Sequence, residues 1–221
     1  MLMNGISIKC HFFGIKKIKI RRTNSFRLFL RQIELYMWKQ FCKLVLRLGG
    51  WEGLSSIPLE DKKCIVIGAP HTSNWDFFLS YFYYQSVGGK ANFIIKKEAF
   101  FWPVGYFLKK MGGIPIDRSR GANVIKQVVN EYNSREQMQL AITPEGTRSL
   151  SKRWKGGFHQ IAKMANVPVY LGVFDYGNKQ IGILEKFEIT DDVDADLLYI
   201  RRFYKDVVAK YPEKFSVGKI D

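Results

Sequence analysis

The segment from Arg27 to Leu48 is dominated by large apolar residues, lacks glycine and proline, and stops at Gly49-Gly50. Its charged residues fall at positions 27, 31, 34, 39, 43 and 47, which places them on one stripe of an α-helix. The pattern therefore predicts an amphipathic helix with an unusually wide apolar arc. Such an arc, edged by Arg, Lys, Trp and Tyr, suits a helix that lies in a lipid interface, although packing on the protein's own core would also bury it.

After Trp51, short apolar runs alternate with longer amphipathic segments. This alternation predicts a three-layer α/β/α fold, in which helices cover both faces of a mostly parallel, mixed sheet. No repeat or linker interrupts residues 51–221, so we expect one α/β domain there, preceded by a basic, amphipathic helical region over residues 1–50. The predicted strands cover residues 64–67, 92–95, 114–116, 139–142 and 167–174, with a hairpin arm at 180–189, and the predicted helices cover residues 77–85, 100–111, 122–132, 157–165 and 194–211.

The distribution of charge adds a candidate partner. The chain carries 35 Lys and Arg against 20 Asp and Glu, and 11 of these basic residues but only one acid, Glu34, lie in residues 1–50. An asymmetry of this kind points to nucleic acid or to an anionic membrane surface as the partner.

Three cysteines without a CxxC pair argue against a disulfide framework and a zinc cluster, and favour a reducing compartment. The longest run without a charged residue, 77–89, is shorter than the roughly 18 residues of a membrane-spanning helix.

A histidine and an aspartate stand directly after the first predicted strand of the α/β domain. His71 and Asp76 are five residues apart in the run Gly-Ala-Pro-His-Thr-Ser-Asn-Trp-Asp. Ligands of α/β sheets gather beyond the carboxyl ends of strands, so this is a position where chemistry is expected. If the turn starts a helix, the carboxylate can reach one imidazole nitrogen, fix the tautomer and support a cation on the ring. The spacing therefore predicts a catalytic His–Asp pair.

Two further loops combine glycine, arginine and hydroxyl groups at predicted strand ends. Residues 143–149 read Thr-Pro-Glu-Gly-Thr-Arg-Ser, and residues 112–120 read Gly-Gly-Ile-Pro-Ile-Asp-Arg-Ser-Arg. Polar and charged residues of these types are seldom buried in a hydrophobic core. An arginine guanidinium can donate two parallel N–H groups to phosphate oxygens. We therefore expect the loop at 143–149 to hold a phosphate and a polyol, with Arg148 on the phosphate oxygens. The loop at 112–120 also offers glycine and arginine near a strand end.

The order of these motifs, followed by Val-Pro-Val at residues 167–169, resembles the phospholipid/glycerol acyltransferase superfamily, that is, the lysophosphatidate acyltransferases and their relatives. The resemblance extends from about residue 64 to residue 174. It implies an O-acyltransferase in which His71 is the general base and Asp76 orients it, with no metal, no cofactor and no acyl-enzyme. It also implies a substrate-binding set around the phosphate of the acceptor, namely Lys97, Arg118, Glu145, Gly146, Thr147 and Arg148.

The resemblance also suggests where the protein works. The helical N-terminal region would dock the enzyme peripherally on the cytoplasmic side of an anionic membrane, with a lysolipid as acceptor and acyl-CoA or acyl-carrier protein as donor. Three positions depart from the common pattern of the lysophosphatidate enzymes, namely Pro70, Thr143 and the Tyr170-Leu171 pair. These departures leave the acceptor open between lysophosphatidate, another lysolipid, and an amino-acid or sugar lipid.

Two other functions explain less of the sequence. A nucleic-acid-binding module would account for the basic N-terminus, but no RNP, zinc-finger or helix-turn-helix signature accompanies it. A lipid-surface hydrolase would share the fold, but the sequence contains no Gly-x-Ser-x-Gly nucleophile elbow.

We interpret His159 as a structural residue of a predicted helix. The aspartates at 191, 192, 194 and 196 resemble a metal cluster, but the acidic start of a helix explains them better.

Overall fold

The computed structural model describes residues 24–54, 60–119 and 123–220. Residues 1–23 of the basic N-terminal region lie outside these ranges, as does Arg120. The α-helices of the described residues are α1 (Asn24–Leu48), α2 (Trp75–Val87), α3 (Val104–Lys110), α4 (Asn123–Ser134), α5 (Gly157–Ala165) and α6 (Val193–Phe203). The strands are β1 (Glu52–Gly53), β2 (Lys63–Ala69), β3 (Ala91–Lys96), β4 (Gly113–Ile116), β5 (Met138–Ile142), β6 (Val169–Asp175) and β7 (Gln180–Phe187). Lys97–Ala99 and Pro212–Lys214 are short 3₁₀ helices.

The strands form one sheet in the order β1-β7-β6-β2-β5-β3-β4. Five neighbouring strands, β6, β2, β5, β3 and β4, are parallel, while β7 returns antiparallel to β6 and pairs with β1. The predicted mixed, mostly parallel sheet and the hairpin arm are therefore confirmed. Because parallel strands end at the same edge, the loops after all five strands lie along one edge of the sheet.

Helices cover both faces of the sheet. The side chains of β2 alternate as a pleated strand requires: Ile65 and Ile67 join the core that α4, α5 and α6 complete, whereas Cys64 and Val66 join the core that α1 and α2 complete. The connections through α2 and α3 cross the sheet in the same direction, and right-handed crossovers therefore place both helices on one face. The face that carries α1 also carries α3.

Helix α1 packs on α2 along a narrow face. Cys42 and Leu46 are buried there, the indole Nε1 of Trp38 donates to Gln85 Oε1 over 3.2 Å, and Lys39 Nζ donates to the carbonyl of Val87 over 3.3 Å. The opposite face is an exposed apolar stripe at steps of three and four residues, made of Phe26, Leu30, Ile33, Met37, Phe41, Leu44 and Leu48. The predicted helix is confirmed, and most of its apolar arc is left uncovered by the described residues. Within those residues, none of the helices is long and apolar enough to cross a membrane.

The last helix is shorter than predicted, since α6 ends at Phe203 and not at Tyr211. Tyr204 is buried, and its hydroxyl donates to the carbonyls of Ile67 and Gly172 over 3.1 and 2.8 Å. These bonds tie the chain to the sheet at the point where the helix ends. The following residues turn back toward β2, where the amide of Tyr211 donates to Thr72 Oγ1 over 3.3 Å.

Candidate active site

The loop between β2 and α2 brings His71 and Asp76 into contact. Nδ1 of His71 lies 3.0 Å from Oδ2 of Asp76, and the same oxygen accepts the amides of Thr72 and Ser73 over 2.9 and 2.8 Å. The Asp76 side chain is 1% exposed and that of His71 is 22% exposed. An imidazole that donates Nδ1–H to a carboxylate carries its lone pair on Nε2. The pair can therefore offer a partly accessible base backed by a buried, fixed charge.

The other oxygen of Asp76 is held from a distant part of the chain. The hydroxyl of Tyr176, the residue after β6, donates to Oδ1 over 2.7 Å. Burial, and then the bond to Asp76, raise the pKa of Tyr176, so this hydroxyl stays protonated and able to donate. Tyr176 was not among the site residues predicted from the sequence, where its only signal was a position directly after a strand. Strand β6 neighbours β2 in the sheet, which is why their ends meet.

Glu145 approaches the same loop from the other side, since it follows β5, the second neighbour of β2. Its carboxylate accepts the backbone amide of His71, with distances of 3.1 Å to Oε1 and 2.9 Å to Oε2. The side chain is buried, and this burial raises the pKa of Glu145 to about 7, while the bond from His71 lowers it and Asp76 adds to the rise. The structure thus places Glu145 against the backbone of the candidate base, and its predicted contact with an acceptor stays a prediction.

The rest of this loop faces solvent. Gly146 has a φ of +67°, and a side chain there would lie within 3 Å of Lys155. Thr147 and Arg148 are exposed, and the hydroxyl of Thr147 accepts the amide of Ser149 over 3.2 Å. A tight turn therefore presents a backbone without a side chain, a hydroxyl and a guanidinium at the edge of the sheet where His71 lies. Such groups can bind an anion.

Lys97 and Arg118 lie further along the same edge. Lys97 directly follows β3 and Arg118 is two residues beyond β4, and both side chains are exposed. Nη2 of Arg118 donates to the carbonyl of Ile94 over 3.3 Å. Strands β3 and β4 are the second and third strands from β2. At about 4.8 Å between neighbouring strands, they lie roughly 10 and 14 Å from β2, the strand that leads to His71. The structure thus puts all the predicted site residues on one edge, with Arg118 farthest from the His–Asp pair.

A second His–Asp pair lies outside this edge. Nε2 of His159 is 3.2 Å from Oδ2 of Asp196 and 3.0 Å from the carbonyl of Thr190, and both side chains are buried. The predicted structural role of His159 agrees with this arrangement. Asp192 caps α6 by accepting the amides of Asp194 and Ala195, as expected for an acidic helix start. Across the part of the chain that the structure describes, no three His, Cys, Asp or Glu side chains are grouped as metal ligands.

Comparisons with known proteins give a family match and a structural match. The family model named Acyltransferase matches residues 52–171, more than half of the chain. Among solved structures, the chain is similar to the crystal structure of the 1-acyl-sn-glycerophosphate (LPA) acyltransferase PlsC from Thermotoga maritima. The two share 17% sequence identity and superpose with a TM-score of 0.56, over 81% of this chain and 80% of that one. A comparison with curated protein sequences gives no match.

Proposed function

Because the chain belongs to the acyltransferase family, we propose that it transfers a fatty acyl group from acyl-CoA or acyl-carrier protein to a hydroxyl of a lysophospholipid or glycerol-phosphate acceptor. The observation that carries this proposal is the contact between His71 and Asp76 at the carboxyl end of a central strand. An alcohol is a weak nucleophile at neutral pH, so a positioned base that takes its proton accelerates the attack by roughly 10²–10⁴-fold.

In the proposed reaction, Nε2 of His71 accepts the proton of the acceptor hydroxyl while the oxygen forms a bond to the thioester carbonyl carbon. Asp76 stabilises the imidazolium that results, because its carboxylate lies against Nδ1–H. The C–S bond then breaks, the ester is complete, and the thiolate leaves with the proton that the imidazolium carried. No group outside the two substrates and His71 is needed to balance this transfer.

Exposed cationic and hydroxyl groups along the same edge favour a phosphate-bearing acceptor. Lys97, Arg118 and Arg148 are three exposed cations, and Gly146 and Thr147 form the turn beside Arg148. We assign the phosphate of the acceptor to these residues, with Arg148 the principal ligand because its loop also holds the amide of His71 through Glu145.

The apolar stripe of α1 supports a peripheral position on a membrane. The stripe extends over nearly the whole helix, about 33 Å at 1.5 Å per residue, and it faces away from α2. Arg27, Arg31, Lys43 and Arg47 are exposed beside it. An exposed apolar face flanked by cations suits the boundary of an anionic bilayer, which for this enzyme we place on the cytoplasmic side.

A thiol-release assay tests the proposed reaction. Acyl-CoA or acyl-carrier protein is supplied with lysophosphatidate, another lysolipid, an amino-acid lipid or a sugar lipid, and the released thiol and the acylated product are measured. We expect release that requires an acceptor and is abolished in His71→Ala. Thiol release of equal rate without any acceptor would identify a hydrolase instead. No release with any donor and acceptor would contradict the proposed function.

A flotation assay tests the position on the membrane. Met37→Glu/Phe41→Glu places two charges in the stripe, and Met164→Glu/Leu184→Glu places two charges at exposed apolar residues of α5 and β7. The stripe variant is expected to lose binding to vesicles of phosphatidylglycerol and phosphatidylcholine, and the control variant to keep it. Equal binding of all three proteins would show that α1 does not contact lipid.

A further inference from the structure

A second exposed apolar surface lies between β3 and β4. We call residues 101–107 the aromatic segment, because Phe101, Trp102, Tyr106 and Phe107 are exposed to 62, 88, 57 and 60%. Val104 in the same segment is also exposed. Monomeric proteins seldom leave large apolar side chains in so dense a group unless the surface binds something.

The aromatic segment is a fixed platform. The amide of Gly105 donates to the carbonyl of Phe101 over 2.7 Å, and that of Tyr106 donates to the carbonyl of Pro103 over 3.1 Å. Gly105 also packs closely on the preceding chain, since a Cβ atom there would lie 2.6 Å from the carbonyl oxygen of Phe100. These contacts hold the backbone while the aromatic side chains point into solvent.

The charged residues that flank the aromatic segment indicate which kind of partner it binds. Lys96 and Lys97 precede the aromatic segment, Lys109 and Lys110 follow it, and all four side chains are exposed, whereas Glu98 is the only acid within residues 96–110. Trp and Tyr are the residues enriched at the boundary of a bilayer, and lysines beside them attract anionic headgroups. The segment therefore has the chemistry of a contact with an anionic lipid surface.

Position relative to α1 supports the same partner. Helix α3 lies on the sheet face that carries α1, because both crossovers that lead to and from β3 run in the same direction. The pKa of Lys110 is raised by its hydrogen bond and charge interaction with Tyr106, and Glu34 of α1 adds to the rise. The aromatic segment and the apolar stripe of α1 therefore lie on the same side of the sheet.

From these observations we propose that the aromatic segment is a second lipid contact, which together with the apolar stripe of α1 seats the protein on an anionic bilayer. The proposal rests on the membrane position proposed above and extends it to a segment at the edge that holds His71. Since the segment follows β3, two strands from β2, lipid bound there would lie along the edge of the sheet that holds the candidate base. The contact would thus orient the active-site edge toward the bilayer.

Vesicle binding tests the proposal. Phe101→Glu/Phe107→Glu is compared with the wild type and with Met164→Glu/Leu184→Glu, which makes the same change of charge at side chains of similar exposure. Binding is measured by flotation with vesicles of equal parts phosphatidylglycerol and phosphatidylcholine. We expect the aromatic-segment variant to lose about 10- to 100-fold in partition coefficient, because two apolar side chains no longer enter the lipid. Circular dichroism melts show whether each variant is folded.

Fluorescence gives a second, direct readout. The difference between the wild type and Trp102→Phe isolates the emission of Trp102, whose side chain is the most exposed of the segment. On addition of the same vesicles this emission should move to shorter wavelength and be quenched by brominated acyl chains. An unchanged difference spectrum with vesicles that do bind the wild type would overturn the proposal.

The outcomes separate this proposal from the membrane position itself. If the wild type does not float, the membrane position fails as a whole. If it floats, Met37→Glu/Phe41→Glu does not, and Phe101→Glu/Phe107→Glu binds as tightly as the wild type, then the aromatic segment is not a lipid contact. If Phe101→Glu/Phe107→Glu keeps vesicle binding but loses turnover with acyl-carrier protein and not with acyl-CoA, the segment is a docking site for that acidic protein. This result would also overturn the proposal.

Discussion

The hydroxyl of Tyr176 donates to Oδ1 of Asp76 over 2.7 Å, while Oδ2 of the same carboxylate faces Nδ1 of His71 over 3.0 Å. Both oxygens of a side chain that is 1% exposed are thereby used. A carboxylate held at both oxygens cannot rotate away from the imidazole without breaking a bond to a charged group, each worth about 1.5–3 kcal/mol. In the proposed mechanism Tyr176 is therefore a positioning residue, which acts on His71 through Asp76.

Tyr176→Phe removes only this hydroxyl. We expect kcat to fall by up to about 10- to 150-fold, the range that corresponds to one hydrogen bond to a charged group, with a smaller change in KM. The reason is that a less firmly held Asp76 orients and stabilises the imidazolium less well. Steady-state thiol release over pH 5.5–9 measures both constants and their pH profile.

Tyr199→Phe is the matched control for Tyr176→Phe. Its hydroxyl also donates to a carboxylate over 2.7 Å, that of Glu185, but at the exposed surface of α6. The control should keep the kcat and pH profile of the wild type. A Tyr176→Phe protein with a lower melting temperature and an unchanged kcat and pH profile would show that the tyrosine only stabilises the fold.

The two His–Asp pairs are expected to respond differently to substitution. His71→Ala should lower kcat by roughly 10²–10⁴-fold in a folded protein. Asp76→Asn should lower kcat nearly as much, because an amide does not stabilise the imidazolium. His159→Gln alters the buried pair with Asp196 and should lower the melting temperature while leaving kcat near the wild-type value. A folded His71→Ala protein that keeps more than a tenth of the wild-type kcat would exclude His71 as the base.

Local patterns predicted most elements of the fold. Helix α5 was predicted to the residue, since Phe158 and Ile161 fall on one buried face and Asn166 takes the left-handed conformation that ends the helix. The predicted end of α6 at residue 211 was wrong, because basic residues typical of a helix terminus continue in the sequence as far as Lys210. The true end depends on Tyr204, whose partners Ile67 and Gly172 are distant in sequence.

The same distinction separates the two halves of the site. His71 and Asp76 are five residues apart, so their contact follows from one turn that leads into a helix. Tyr176 is 100 residues from Asp76, and Glu145 is 74 residues from His71. These contacts exist because β6 and β5 flank β2, an order of strands that no local pattern specifies.

Arg148 is expected to affect the acceptor more than the donor. Arg148→Ala should raise KM for a phosphate-bearing acceptor by about 10- to 150-fold, the range of a charged hydrogen bond, and leave KM for acyl-CoA nearly unchanged. Arg153→Ala, an exposed arginine five residues further on, is the matched control. Equal losses for donor and acceptor would show that this loop is not the phosphate site.

Glu145 should make the stability of the protein depend on pH. Its pKa is about 7 in the folded state against 4.5 for an ordinary glutamate. Between these two values the folded protein holds a proton that the unfolded chain has lost, so the free energy of unfolding falls as the pH rises through this window. The sign is opposite to that of a salt-bridged carboxylate, because burial disfavours the charge.

Glu145→Gln isolates this contribution, because the amide oxygen of glutamine can still accept the backbone N–H of His71 while no charge forms. Relative to the wild type, the variant should gain stability between pH 5 and pH 8, by at most about 3 kcal/mol. Urea unfolding at both pH values measures the difference, and the exposed Glu136→Gln serves as the matched control. The comparison between variants cancels the titration of distant groups, so a gain confined to Glu145→Gln comes from this buried carboxyl and its interaction with Asp76. A constant difference at both pH values would mean that Glu145 titrates alike in the folded and unfolded states, and that the bond from His71 fully offsets the effect of burial.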